Sequence, residues 1–256
     1  MAARRADPGR VLAAVLAQAD AVSAWLSGQP PSAWRRPSVL PGWTVLELAE
    51  HVAVVLRSTP ATLRRTTGDR PVSIARYASG GWCASWCRDD DTNSHEPAEE
   101  VLAGLYAARD VAAATELPAA RAVRAGRDPV APADYLVTRA IELVVHADDL
   151  SRSLPERAPV PLDRAALRVA CQALADVLAE RAPGHSLELR VPPYAAVQAL
   201  QGPRHTRGTP PNVVETDPVT WVRLATGRLS WADAVPGRSV QARGERADLA
   251  PWLPLL

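Results

Sequence analysis

The sequence predicts an α+β protein of two domains, a helical bundle over residues 1–157 followed by an α+β domain over residues 158–256. Three observations carry this. Four segments before residue 155 place apolar side chains at helical spacing. The Pro-rich stretch with Pro155, Pro159 and Pro161 then interrupts the pattern, and beyond one further helix come short β-rich pieces. A chain of 256 residues has room for one large domain or two ordinary ones, each with a buried core. With 47% hydrophobic and 22% charged residues it reads as globular and not disordered. A formal charge of +1 gives no footprint for nucleic acid or an anionic membrane.

The first helix is expected from Gly9 to Leu26, where Val11, Leu12, Val15, Leu16, Ala19, Val22 and Trp25 share a face. Arg4 and Arg5 make a basic start, but Gln18, Asp20 and Ser23 interrupt the apolar run, so no secretory h-region is read there. Breakers from Gly28 to Pro37 lead into Leu40-Pro41-Gly42-Trp43-Thr44. Thr44 and Glu47 have the spacing of a capping box, which starts a second helix running to about Ser58. His51 shares the sector of Leu48 and Val55 and is expected to face inward.

From Arg70 to Ser94 the periodicity weakens. Cys83 and Cys87 lack the second pair that makes a metal site specific, so they read as small residues beside Trp82 and Trp86. Pro97 suits the first turn of a third helix carrying Val101, Leu102, Leu105, Ala108, Val111 and Ala112, with His95 exposed near its cap. A fourth helix follows from Pro132 to about Leu150. Asp163 caps a fifth, through Ala182, whose apolar stripe takes in Cys171 as core. Strands are expected over 186–191, 194–200, 212–216 and 239–242, mostly antiparallel, with helices over 218–226 and 247–255. Three cysteines cannot form a paired framework, and no segment has the apolar length of a membrane span. A cytoplasmic protein is expected.

The fourth helix carries the chemistry. Leu136 and Leu143 lie on one flank, Ile141 and Val145 on the other, and Val137 and Val144 behind, leaving a polar stripe of only Tyr135, Arg139, Glu142 and His146. A solvated face would be wider, so this stripe should point into the bundle. Glu142 and His146, at i and i+4, then need a partner. A lone inward histidine is more often a hydrogen-bonded core residue, but His51 alongside these two makes a set of two histidines and one glutamate. Three ligands leave a coordination position open, the pattern of a catalytic site. The donors favour Zn over Mg or Ca, with Fe, Ni and Mn as alternatives. Water or a thiol would suit the open position equally. Arg139 and Asp149 are one turn away and read either as supports of the ligands or as surface ion-pairing residues. No Gly-x-Ser-x-Gly elbow supports a serine nucleophile.

The run Leu40-Pro41-Gly42-Trp43-Thr44-Val45-x-Glu47-Leu48-x-x-His51, followed by Glu142-x-x-x-His146-x-x-Asp149-Leu150, resembles the N-terminal domain of the mycothiol-dependent maleylpyruvate isomerase family, one of the DinB-like four-helix bundles. The resemblance covers roughly the first 155 residues. It implies zinc on His51, Glu142 and His146, and mycothiol as a thiol cosubstrate whose thiolate adds to an unsaturated acid. It also implies an actinobacterial source, in keeping with the Ala- and Arg-rich composition without Lys or Phe that high-GC codons produce. The second half, through Asp217-Pro218-x-x-Trp221-x-x-Leu224-Ala225-Thr226-Gly227, is similar to a bacterial sterol-carrier-protein-like domain. In the family an arginine of the C-terminal domain reaches the substrate carboxylates, which makes Arg204 and Arg207 the candidates here. The function expected is a metal- and thiol-dependent isomerase or transferase on a small acidic or electrophilic molecule. The alternative is a carrier of an apolar ligand whose metal is structural or vestigial.

Overall fold

A computed structural model describes residues 6–79, 97–126, 128–202 and 212–256. Cys83, Cys87, His95, Arg204 and Arg207 lie outside the described residues. The chain divides into two compact units, Met1–Ala166 and Leu167–Leu256. In order, the first contains α1 (Pro8–Ser27), α2 (Pro31–Trp34), α3 (Val45–Arg64), β1 (Thr66–Thr67), α4 (Ile74–Ser79), α5 (Ala98–Ala113), β2 (Ala122–Ala125), β3 (Asp128–Val130) and α6 (Pro132–Ser153).

Four of these helices close a ring: α1 packs on α5 and α6, and α3 packs on the same two. Each therefore buries an apolar stripe on two neighbours, as the periodicity predicts. Val15, Val22 and Leu26 of α1, Leu48, Val52 and Leu56 of α3, Leu105 of α5, and Leu136, Leu143 and Leu150 of α6 are almost wholly excluded from solvent. Burying each such side chain contributes about 1.5–3 kcal/mol before entropic costs.

The entry to α3 positions the later site. Trp43 N–H donates to Leu40 O at 3.1 Å, closing a four-residue turn with Pro41 second and Gly42 third. Gly42 has φ 79°, a left-handed value that the third position of such a turn requires and that a side chain would strain. Thr44 then caps the helix reciprocally: Glu47 N–H donates to Thr44 Oγ1 at 3.2 Å, and Thr44 N–H to Glu47 Oε2 at 2.7 Å. Thr44→Ala should cost about 1 kcal/mol in urea unfolding. A midpoint equal to that of the parent would show that the cap contributes nothing.

Besides the short helices α2, α4 and Trp231–Ala234, which the sequence did not announce, three local features differ from the sequence expectation. Helix α3 runs past Ser58 to Arg64, through Pro60. Proline removes one helical hydrogen bond, but Thr59, Pro60 and Leu63 are buried in the bundle and outweigh the loss. Strands β1, β2 and β3 form a small antiparallel sheet, pairing Thr66 with Val123 and Val123 with Val130. Strands of two to four residues are too short to show an alternating pattern. The helix expected over 247–255 is a single 3₁₀ turn, Ala250–Trp252. Pro254 holds Leu253 extended at φ −106°, ψ 144°, so the helix cannot continue.

Helix α7 (Arg164–Arg181) leads into the second unit and lies mostly within it, and Asp163 caps its first turn by accepting from Ala165 and Ala166 N–H at 2.9 Å. After α7 the unit comprises β4 (Leu187–Val191), β5 (Ala195–Ala199), β6 (Val213–Thr216), α8 (Pro218–Ala225), α9 (Trp231–Ala234) and β7 (Val240–Arg243). The sheet order is β5-β4-β6-β7, with β4 and β6 parallel and the other pairs antiparallel. Leu187, Leu189 and Val191 point alternately inward from β4. Trp221 of α8 is buried and donates Nε1–H to Cys171 O at 3.3 Å. Cys171 is core, as its stripe predicts, and burial pushes its thiol up to about 12. Among the described residues no helix is long and apolar enough to cross a membrane.

Candidate metal centre

The polar stripe of α6 is buried along its whole length, with Tyr135, Arg139, Glu142 and His146 at most 7% exposed. A charged stripe in a bundle interior survives only if its members compensate one another. They do. Arg139 Nη2 lies 2.7 Å from Glu142 Oε1, and the guanidinium carbon sits 4.9 Å from the centroid of the Tyr135 ring. Burial alone would raise the Glu142 carboxyl, but the Arg139 charge, with His51 and His146 adding to it, holds it down to about 2. The same pairing raises Arg139 against its own burial.

Helix α3 brings His51 to this stripe. Its Nε2 is 3.7 Å from Glu142 Oε2, beyond hydrogen-bond reach, and its ring meets the His146 ring edge to face at 4.8 Å. Trp43, buried on the capping turn, packs its ring edgewise on His51 at 5.4 Å and so fixes the imidazole plane. His51 Nε2 is buried without a hydrogen-bond partner. An orphaned buried nitrogen costs about 1–3 kcal/mol unless something satisfies it. One donor atom each from His51, Glu142 and His146 lies within 4.8 Å of the others. Two imidazole nitrogens and a carboxylate at this spacing fit a divalent metal, which would satisfy the orphaned nitrogen.

Burial excludes the surface reading of Arg139 and Asp149, which are 7% and 0% exposed. Asp149 is inaccessible, and its Oδ2 lies 3.2 Å from His146 Nδ1. A carboxylate there accepts the Nδ1 proton and leaves the Nε2 lone pair for a metal. Burial pushes the His146 pKa below its ordinary value of 6.5, against the opposing pull of Asp149. Tyr77, on α4, is close enough to Arg139 and Glu142 to feel their charges, and burial raises its phenol. Nothing in the weakly periodic segment around it marked that residue.

These shifts give the metal-free protein a definite acid response. The Glu142 contribution is complete above its ordinary pKa of 4.5 and is lost as pH falls towards about 2. His146 acts in the same direction and earlier, because below 6.5 the unfolded chain takes up a proton that the buried ring resists. Urea midpoints of metal-free protein should therefore fall continuously as pH drops below 6.5. Midpoints that rise on acidification over that range would contradict the assignment.

Residues 15–151 match the family described as the mycothiol maleylpyruvate isomerase N-terminal domain, and residues 163–255 match the bacterial SCP ortholog family. Among solved structures, mycothiol-dependent maleylpyruvate isomerase superposes with a TM-score of 0.57 at 19% identity, over 93% of each chain. A histidine-to-alanine mutant of an enzyme of that name gives 0.56 at 18% identity, again over 93% of each. Likeness at these identities concerns the fold. No curated protein sequence is significantly similar to the chain. With more than half of its length matched by one family and most of the remainder by the other, the chain belongs to the mycothiol maleylpyruvate isomerase family, as a helical bundle followed by an SCP-type domain.

Proposed function

We propose that the chain is a metal- and mycothiol-dependent isomerase or thiol transferase acting on a small acidic or electrophilic molecule. The observation that carries the reading is the convergence of His51, Glu142 and His146 from two helices, with ligand atoms within 4.8 Å. This donor set suits zinc first and other divalent transition metals after it. When bound, the ion would supply a positive charge that holds a thiol in its anionic form, with the three-residue set leaving a position for it. The chain's own residues do the positioning. Asp149 keeps the His146 proton on Nδ1, Trp43 sets the plane of His51, and Arg139 lets Glu142 stay ionised in the interior. Arg204 and Arg207 are the proposed contacts to substrate carboxylates, since a guanidinium binds a carboxylate through two parallel hydrogen bonds.

The second reading, a carrier of an apolar ligand, has one observation in its favour. The SCP-type unit holds a cavity of about 620 Å³ with Pro183, Leu200 and Trp252 in its walls beside Arg181 and Arg246. Metal analysis of the purified protein and calorimetry with mycothiol, with and without metal, separate the two. Stoichiometric zinc that disappears in His51→Ala, together with metal-dependent mycothiol binding, is the expected result. Equal zinc in parent and variant would show the ligands to be misassigned. Absent thiol binding with a stoichiometric co-purifying lipid would replace the enzyme reading by the carrier.

A further inference from the structure

We infer that Arg139 is a positioning residue that makes Glu142 a one-oxygen ligand and thereby keeps a coordination position available to the thiol. This rests on the metal site proposed above. A carboxylate can bind a cation through one oxygen or both, and in a site of three protein ligands that choice decides whether an exogenous ligand finds room. Among the described residues the two oxygens have different surroundings. Oε1 receives Arg139 Nη2 at 2.7 Å, whereas Oε2 is turned towards His51 Nε2 at 3.7 Å.

Arg139 is itself held from several sides. Its guanidinium stacks on Tyr135, and its Nε–H donates to Thr138 Oγ1 at 3.2 Å. The Thr138 hydroxyl in turn donates to Tyr135 O at 2.6 Å. Helix stabilisation does not account for the pair, because an acid following its base along a helix is the weaker order and both groups are buried. Charge compensation alone would need a cation nearby, but not a fixed hydrogen bond to one chosen oxygen. The pairing has a second consequence: with Glu142 already neutralised by Arg139, a divalent ion keeps most of its charge for an anionic sulfur.

Cobalt(II) tests this by its colour, without any assay of turnover. The full-length parent, Arg139→Met and Arg139→Lys are loaded with Co²⁺, and 2-mercaptoethanol is titrated in while the visible bands and the sulfur-to-cobalt band are followed. The parent should bind cobalt stoichiometrically and show the intense visible bands of four-coordination. Arg139→Met should keep the cobalt but show weaker, five-coordinate bands. Its half-saturation should need roughly tenfold more thiol, the lower end of what removing a ligand's support costs at metal sites. Arg139→Lys, which keeps the charge but not the planar fork, should lose thiol affinity in the same direction by less. Should the methionine variant not fold, the lysine variant decides alone. Cobalt-loaded variants with the parent's spectrum and thiol affinity would overturn the inference. A parent that binds no cobalt would instead overturn the metal site on which it rests.

Discussion

Replacing Glu142 by alanine is expected to abolish metal binding and to cost the metal-free protein about 3–5 kcal/mol, the usual penalty for breaking a buried ion pair from one side. Arg139 is only 7% exposed, so its charge cannot be repaid by water once the 2.7 Å bond to Glu142 is gone. His51→Ala should also lose the metal, but at a much smaller cost in stability, since it deletes a buried nitrogen that has no hydrogen-bond partner. The contrast separates ligation from folding. Zinc content of both variants after loading with zinc, and guanidinium unfolding of both in metal-free form, are the two readouts. Arg139→Met added to Glu142→Ala should recover part of the stability, because the buried charge that Glu142 compensated leaves with it. Equal stability of Glu142→Ala and the parent would mean that Arg139 does not depend on Glu142.

Asp149→Ala should weaken zinc binding by about 10–100-fold while leaving all three proposed ligands in place. The carboxylate is wholly buried and accepts from His146 Nδ1, which fixes both the tautomer and the ring orientation. Without it the imidazole can put its proton on Nε2, the nitrogen proposed to bind the metal. Arg152 lies 3.7 Å from the other oxygen of Asp149, but its side chain is 34% exposed, so it should matter far less. Competition with a coloured chelator measures the affinity. Parent-like zinc affinity in Asp149→Ala would reduce that residue to a buried ion-pair partner.

Much of the site was legible in the sequence because helical chemistry is local. The period of α6 shows that Tyr135, Arg139, Glu142 and His146 share a stripe too narrow for solvent, and Thr44 with Glu47 marks the start of α3 in the register that turns His51 inward. The same period leaves Arg139 and Asp149 ambiguous, since spacing along a helix is identical whether a pair lies in water or in the interior. Burial distinguishes them, and burial depends on what packs over the helix. The continuation of α3 through Pro60, the sheet of β1, β2 and β3 and the position of Tyr77 escaped for a related reason: each rests on contacts between segments far apart in the chain.

What the sequence by itself determined is the four long helices of the bundle, the main strands of the second unit, the caps of Thr44 and Asp163 and the inward stripe, each set by residue types within a few turns of one another, and, by the resemblance of two separated motifs, the three candidate ligands. Only the tertiary structure decided that His51 on α3 stands 3.7 Å from Glu142 on α6, that Arg139 holds one carboxylate oxygen, and that Asp149 holds one imidazole nitrogen. Periodicity orients a side chain about its own axis. The distance to a partner on another helix is set by how the bundle closes.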